Sequence, residues 1–118
     1  MITAYATIAG TSADIDPTAT VDIAPQRTQA AALELANQMP HSLRAPLNEP
    51  GRDEKIARLV TDRLGANWNH VYGVLILRDP AGQYFAAIGD IIGVDTMTVQ
   101  FANDRRLPVG RVVAVGLR

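Results

Sequence analysis

Residues 70–88 read HVYGVLILRDPAGQYFAAI, and the fold turns on this stretch. The run from Val71 ends in four consecutive apolar residues, Val74, Leu75, Ile76 and Leu77, the pattern of a central strand covered on both faces. Asp79-Pro80-Ala81-Gly82 then carries a tight turn, with Asp in the first place, Pro presetting φ in the second and Gly in the fourth. Tyr84 to Ile88 returns as the hairpin partner.

Downstream, Gly89 to Asp95 holds two glycines and predicts a bend. Met97, Val99 and Phe101 alternate with Thr98 and Gln100, as a half-buried strand does. Asn103 to Pro108 reads as a polar turn, and Arg111 to Leu117 as a closing strand apolar on both faces. Upstream, Ile56, Leu59, Val60 and Leu64 form one helical stripe. Asp53 stands as its N-cap, Glu54 at the positive end of the dipole, and Gly65 as its left-handed stop. A second stripe, Ala32, Leu35, Ala36 and Met39, predicts a helix from Gln26 to Met39, with Pro25 at its first position and Pro40 ending it. His41 to Gly51, with Pro46 and Pro50, reads as an irregular surface connection. Thr18 to Ile23 predicts a short strand, and Ile2 to Ile8 alternates strictly as another. The sum is an α+β chain: N-terminal strands, two helices, then a four-stranded antiparallel sheet. Residues 1–17 are an arm or edge strand, and 18–118 a single domain.

Composition removes several function classes. A chain of 118 residues has room for one core, and 47% hydrophobic residues are enough to build it. Eleven basic residues against twelve acidic ones lack the basic excess of a nucleic-acid binder. With no cysteine, disulfides, thiolate metal sites and cysteine nucleophiles are excluded. No stretch approaches the ~20 apolar residues of a membrane span. Thr3, Tyr5 and Thr7 interrupt any secretory apolar core, so the expected location is cytoplasmic.

Candidate chemistry is sparse. His41 and His70 are the only histidines, and their spacing fits no metal motif on one helix face. His41 lies beside Ser42 in a proline-bounded loop, where a solvated histidine explains it better than a nucleophile pair. Asp14-Ile15-Asp16 offers two carboxylates but lacks the further oxygen ligands and spaced glycine of a calcium loop; it reads as a turn before Pro17. Arg105-Arg106 at a hairpin tip reads as solvated. Trp68, the one tryptophan, is expected to seal helix against sheet, with an interface hot spot as the sharper alternative. No catalytic residue, metal or cofactor is assigned.

At the junction of the second helix and the sheet, Trp68-Asn69-His70-Val71-Tyr72-Gly73 and then Gly82-Gln83-Tyr84-Phe85 resemble the dynein light chain hub family, the smallest dynein light chains. The order of elements over residues 18–118 is similar too. The resemblance implies a homodimer in which the strand near Tyr84 to Ile88 crosses to the partner's sheet, with extended peptides adding as strands beside that edge. Binding and dimer contacts then fall on Trp68, His70, Tyr72, Gln83, Tyr84, Phe85 and Ala86. The chain departs from the family where Ala86-Ala87-Ile88 replaces a Thr-His-Glu stretch, in a longer Arg78 to Gln83 hairpin, and in residues 1–17. The fold is implied while the peptide preference is not.

Three functions follow as expectations. The first is a non-enzymatic interaction or assembly module, a homo-oligomer binding a protein or peptide by strand addition, with no nucleic acid or membrane partner. The second is a phage or virion-type structural subunit using residues 1–17 as an arm. The third is a small enzyme with a site near His70 and Tyr72.

Overall fold

The computed structural model describes residues 21–118 except Asn103. The strand expected at Ile2 to Ile8, the 1–17 arm and the Asp14–Asp16 pair lie outside the described residues. Among the described residues the architecture is α+β, with two helices and one antiparallel sheet of seven strands. In chain order these are β1 (Val21–Gln26), α1 (Gln29–Asn37), β2 (His41–Arg44), α2 (Arg52–Ala66), β3 (Val71–Arg78), β4 (Tyr84–Val94), β5 (Thr98–Phe101), β6 (Arg106–Pro108) and β7 (Val112–Leu117), with a 3-10 turn at Val109–Arg111. The sheet runs β2-β7-β3-β4-β5-β6, and β1 adds to β4.

β3 is the strand the sequence described. Gly73 through Leu77 are buried without interruption, and alternate residues feed two separate cores. Leu75 and Leu77 pack with Ile56, Val60 and Leu64 of α2, together with Phe85, Ile91, Val115 and Leu117. Val74 and Ile76 pack on the other face with Ala32, Leu33 and Ala36 of α1. The turn after β3 closes through Gly82 N–H to the Asp79 carbonyl at 2.9 Å, with Gly82 at φ 88°. The Asp79 carboxylate accepts from Gln83 N–H at 2.9 Å.

Several boundaries differ from expectation, each for a local reason. Pro25 does not open a helix: it sits in β1 opposite Phe85, an outer-strand position that tolerates a missing donor. Helix α1 starts later because Thr28 supplies the cap, its hydroxyl accepting from Ala31 N–H at 3.1 Å. The His41 to Gly51 connection contains β2, which pairs with β7 from Leu117 to Ala114. Gly51, at φ 74°, takes the cap position expected of Asp53, which lies in the first turn of α2 with Glu54. Gly65 is helical, and the chain reverses at Trp68 and Asn69 instead. β4 does not stop at Gly89. It runs eleven residues, pairing with β1 along Val21–Gln26 and, past a register shift between Ile91 and Gly93, with β5. Residues 106–108 of the expected polar turn form β6 against β5. The four-stranded sheet is thereby corrected to seven strands.

Arg52 ties the ends together. It is the buried charged residue of the described chain, 6% exposed. Its guanidinium donates to the carbonyls of Ala45, Val109 and Val112 and to the Asp53 carboxylate. One side chain at the start of α2 thus joins the end of β2 to both flanks of the 3-10 turn. Replacing Arg52 by Met keeps the aliphatic stem and leaves buried carbonyls without their donor. Urea unfolding should show a loss of about 2–4 kcal/mol; a loss below about 0.5 kcal/mol would remove Arg52 as a structural tie.

The β4–β5 turn has its own tie. The Asp95 carboxylate accepts from the backbone N–H of Met97 at 2.7 Å and of Thr98 at 2.8 Å. The hydrogen bond from Thr98, then that from Met97, hold its carboxyl below the ordinary value of 3.8. A lowered folded-state pKa contributes stability above the unfolded value, and the contribution is lost as pH falls through the folded one. Asp95→Asn should therefore be less stable than the wild type at neutral pH, and the gap should close as pH drops below 3.8. A gap that stays constant through acid unfolding series would refute this assignment.

Candidate functional site

The last turn of α2 sets the geometry. Asn67 N–H donates to the Leu64 carbonyl at 3.1 Å, and its side-chain amide to the Arg63 carbonyl at 2.7 Å. The chain then takes two consecutive left-handed residues, Trp68 at φ 59° and Asn69 at φ 67°, and Asn69 N–H returns to Leu64 at 2.8 Å. Asn tolerates this region; a tryptophan does not adopt it freely. The strain is not offset by burial, because Trp68 is 91% exposed. It does not seal helix against sheet, and that expectation is corrected: the reversal needed to enter β3 throws the indole outward.

Beside it lies a recess of about 400 Å³ lined by Trp68, His70, Tyr72, Asp90 and Arg118 together with the end of α2. Tyr72 and Asp90 are cross-strand neighbours on β3 and β4. The Arg118 guanidinium stands 4.7 Å from the Tyr72 ring centroid, a cation–π contact. Arg118 N–H donates to the Tyr72 carbonyl at 3.1 Å, and its own carbonyl accepts from Arg63 Nε at 3.0 Å. Tyr72 is 37% exposed, and Ile92, one residue beyond the Val71–Ile91 pair, is exposed as well. The recess presents an aromatic ring, a cation and a carboxylate side by side.

The seven residues singled out in the sequence do not form one site. Trp68, His70 and Tyr72 come together here. Gln83 to Ala86 lie at the opposite end of the sheet, since Tyr84 pairs with Arg78, six residues along β3 from Tyr72 and about 20 Å away. Both hydrogen-bonding sides of Tyr84 to Ile88 are used within the chain, by β1 and by β3. No strand can add there without displacing β1. Phe85 and Ala86 are buried. The Gln83 side chain donates to the Gln26 carbonyl at 3.0 Å, pinning β1 to the hairpin. Asp90 and Arg118 went unrecognised in the sequence; period-two spacing from Ile88 and Gly116 was their signal, and only strand pairing brings them together. Among the described residues no three His, Asp or Glu side chains gather as metal ligands, and no helix is long and apolar enough to cross a membrane. No family model, curated protein or solved structure matches the chain.

If the indole contributes no packing within one copy, Trp68→Gly removes backbone strain at little loss. At concentrations where the chain is monomeric, its unfolding free energy should equal that of the wild type or exceed it by up to about 1 kcal/mol. A loss of about 2 kcal/mol or more would make Trp68 a core anchor after all.

Proposed function

We propose that this protein is a non-enzymatic, homodimeric interaction module of the cytoplasm, and that a second copy of the chain docks on the Trp68 recess. The observation that carries the reading is the indole itself, held outward on a strained turn. Exposed tryptophan beside tyrosine and arginine is the composition of an interface hot spot. The recess also carries opposite charges on Arg118 and Asp90, which form no ion pair with each other. Two copies related by a two-fold axis would set Arg118 of each against Asp90 of the other, the self-complementarity an isologous dimer requires. A small domain gains most from such burial. The dynein light chain resemblance implies a dimer that receives an extended segment, although here not through Tyr84 to Ile88, which β1 and β3 already pair. In this chain one open edge for that segment is β2, His41–Arg44, which pairs only with β7 among the described residues.

Sedimentation across a concentration series tests the dimer. The wild type should associate, and Trp68→Ser should be monomeric. Asp90→Arg and Arg118→Asp should each weaken association by about tenfold or more, and the double swap should restore it. A wild-type chain that stays monomeric at about 1 mM, or a Trp68→Ser chain that associates as well as the wild type, would overturn the reading.

A further inference from the structure

The opposite end of the same sheet face holds a second recess, of about 390 Å³, and its chemistry is different. Arg44 reaches it from β2 and Arg78 from the end of β3, with the Tyr84 ring as a wall between strands. Among the described residues no Asp or Glu lines it, whereas the Trp68 recess has Asp90 and the surface near Arg52 has Glu49, Asp53 and Glu54. The ion pairs among the described residues are Arg52–Asp53 and Lys55–Glu49, so neither Arg44 nor Arg78 pairs with a described carboxylate. The Arg78 guanidinium instead rests 5.7 Å from the Tyr84 ring centroid. Its backbone is fixed as well, the Arg78 carbonyl accepting from Arg111 Nε at 2.7 Å.

We propose that this recess binds a small aromatic phosphate monoester of mononucleotide size. Arg44 and Arg78 line one cavity with no carboxylate among its described residues, and like charges sharing a recess favour an anion between them. The amides of Gln29 and Asn48 add neutral donors to the lining. That donor set exceeds the two oxygens of a carboxylate and suits the three terminal oxygens of a phosphate monoester. The first turn of α1 opens onto the recess at Gln29 and carries no acidic residue, so its positive end adds to the field. The remaining lining, Leu33, Pro46, Leu47, Val113 and Tyr84, offers apolar contacts to a ring, beside donors that also suit bare phosphate. The volume falls within the range of small-molecule sites, about 300–1,000 Å³.

Calorimetric titration of the full chain with AMP, UMP and 1-naphthyl phosphate, and with adenosine as the uncharged control, tests the assignment. At least one phosphate monoester should bind saturably and weaken as salt rises, while adenosine does not bind. Arg44→Met and Arg78→Met should each weaken that binding by about tenfold or more, with circular dichroism and urea unfolding unchanged because both side chains are exposed. Tyr84→Leu should weaken the monoester but leave any binding of inorganic phosphate unchanged. Trp68→Ser should bind the monoester as the wild type does, which separates this site from the dimer contact. The proposal is overturned if none of the three monoesters binds up to about 10 mM, if adenosine binds as tightly as AMP, or if both arginine variants bind like the wild type.

Discussion

A strand with no solvent face is the constraint on which the rest of the molecule rests. From Gly73 to Leu77 every residue of β3 is buried, so each face of the sheet must be covered and the chain must supply two layers. It does so unequally. Helix α2 lies over one face with Ile56, Val60 and Leu64, whereas α1 lies over the other with small residues, Ala32 and Ala36. The closeness of α1 depends on Gly116: a Cβ there would lie 2.7 Å from Met39 Cγ and 2.9 Å from Ala36 Cα. Gly73 serves the other face in the same way, beside Leu117 and Ile91. Small residues on both helix and sheet replace the volume that longer side chains would have needed.

A sheet this broad in a chain this short also has edges to manage. β4 answers by serving two neighbours on one side, β1 along its first half and β5 along its second, so that a single long strand replaces two. The short strands β2 and β6 extend the sheet at its two ends, and Arg52 gathers the backbone around the end of β2 and the 3-10 turn. A buried arginine among carbonyls is favourable only because its donors are matched by acceptors and Asp53 balances its charge.

What was legible in the sequence follows from this. β3, its turn at Asp79 to Gly82, the α2 stripe and β7 carry strong local signals, since burial on both faces or at helical spacing leaves an apolar pattern. β2 and β6 carry none: His41-Ser42-Leu43-Arg44 and Arg106-Leu107-Pro108 each have a single leucine and no alternation, and pairing with β7 and β5 makes them strands. Pro25 was misread because proline suits a helix start and an outer strand equally, and only Thr28 decides between them. Trp68 departs from expectation because side-chain size predicts burial, whereas the left-handed reversal at Trp68 and Asn69 decides the direction. The Arg44 and Arg78 juxtaposition could not be read at all. Thirty-four positions apart in the chain, they meet only because β7 lies between β2 and β3.

The two recesses have one physical origin. Helix α1, at nine residues, is about 13 Å long, while the eight residues of β3 span about 26 Å. α1 covers the middle of that face, from Ala114 and Ile76 to Gly116 and Val74, and stops. On the strands it leaves uncovered, the residues that would have been core are Tyr72, Asp90 and Arg118 at one end and Arg78, Tyr84 and Arg44 at the other. Each end carries arginine against tyrosine, yet only one includes a carboxylate. On the proposed readings, that difference separates the surface that pairs with its own copy from the one that attracts a small anion.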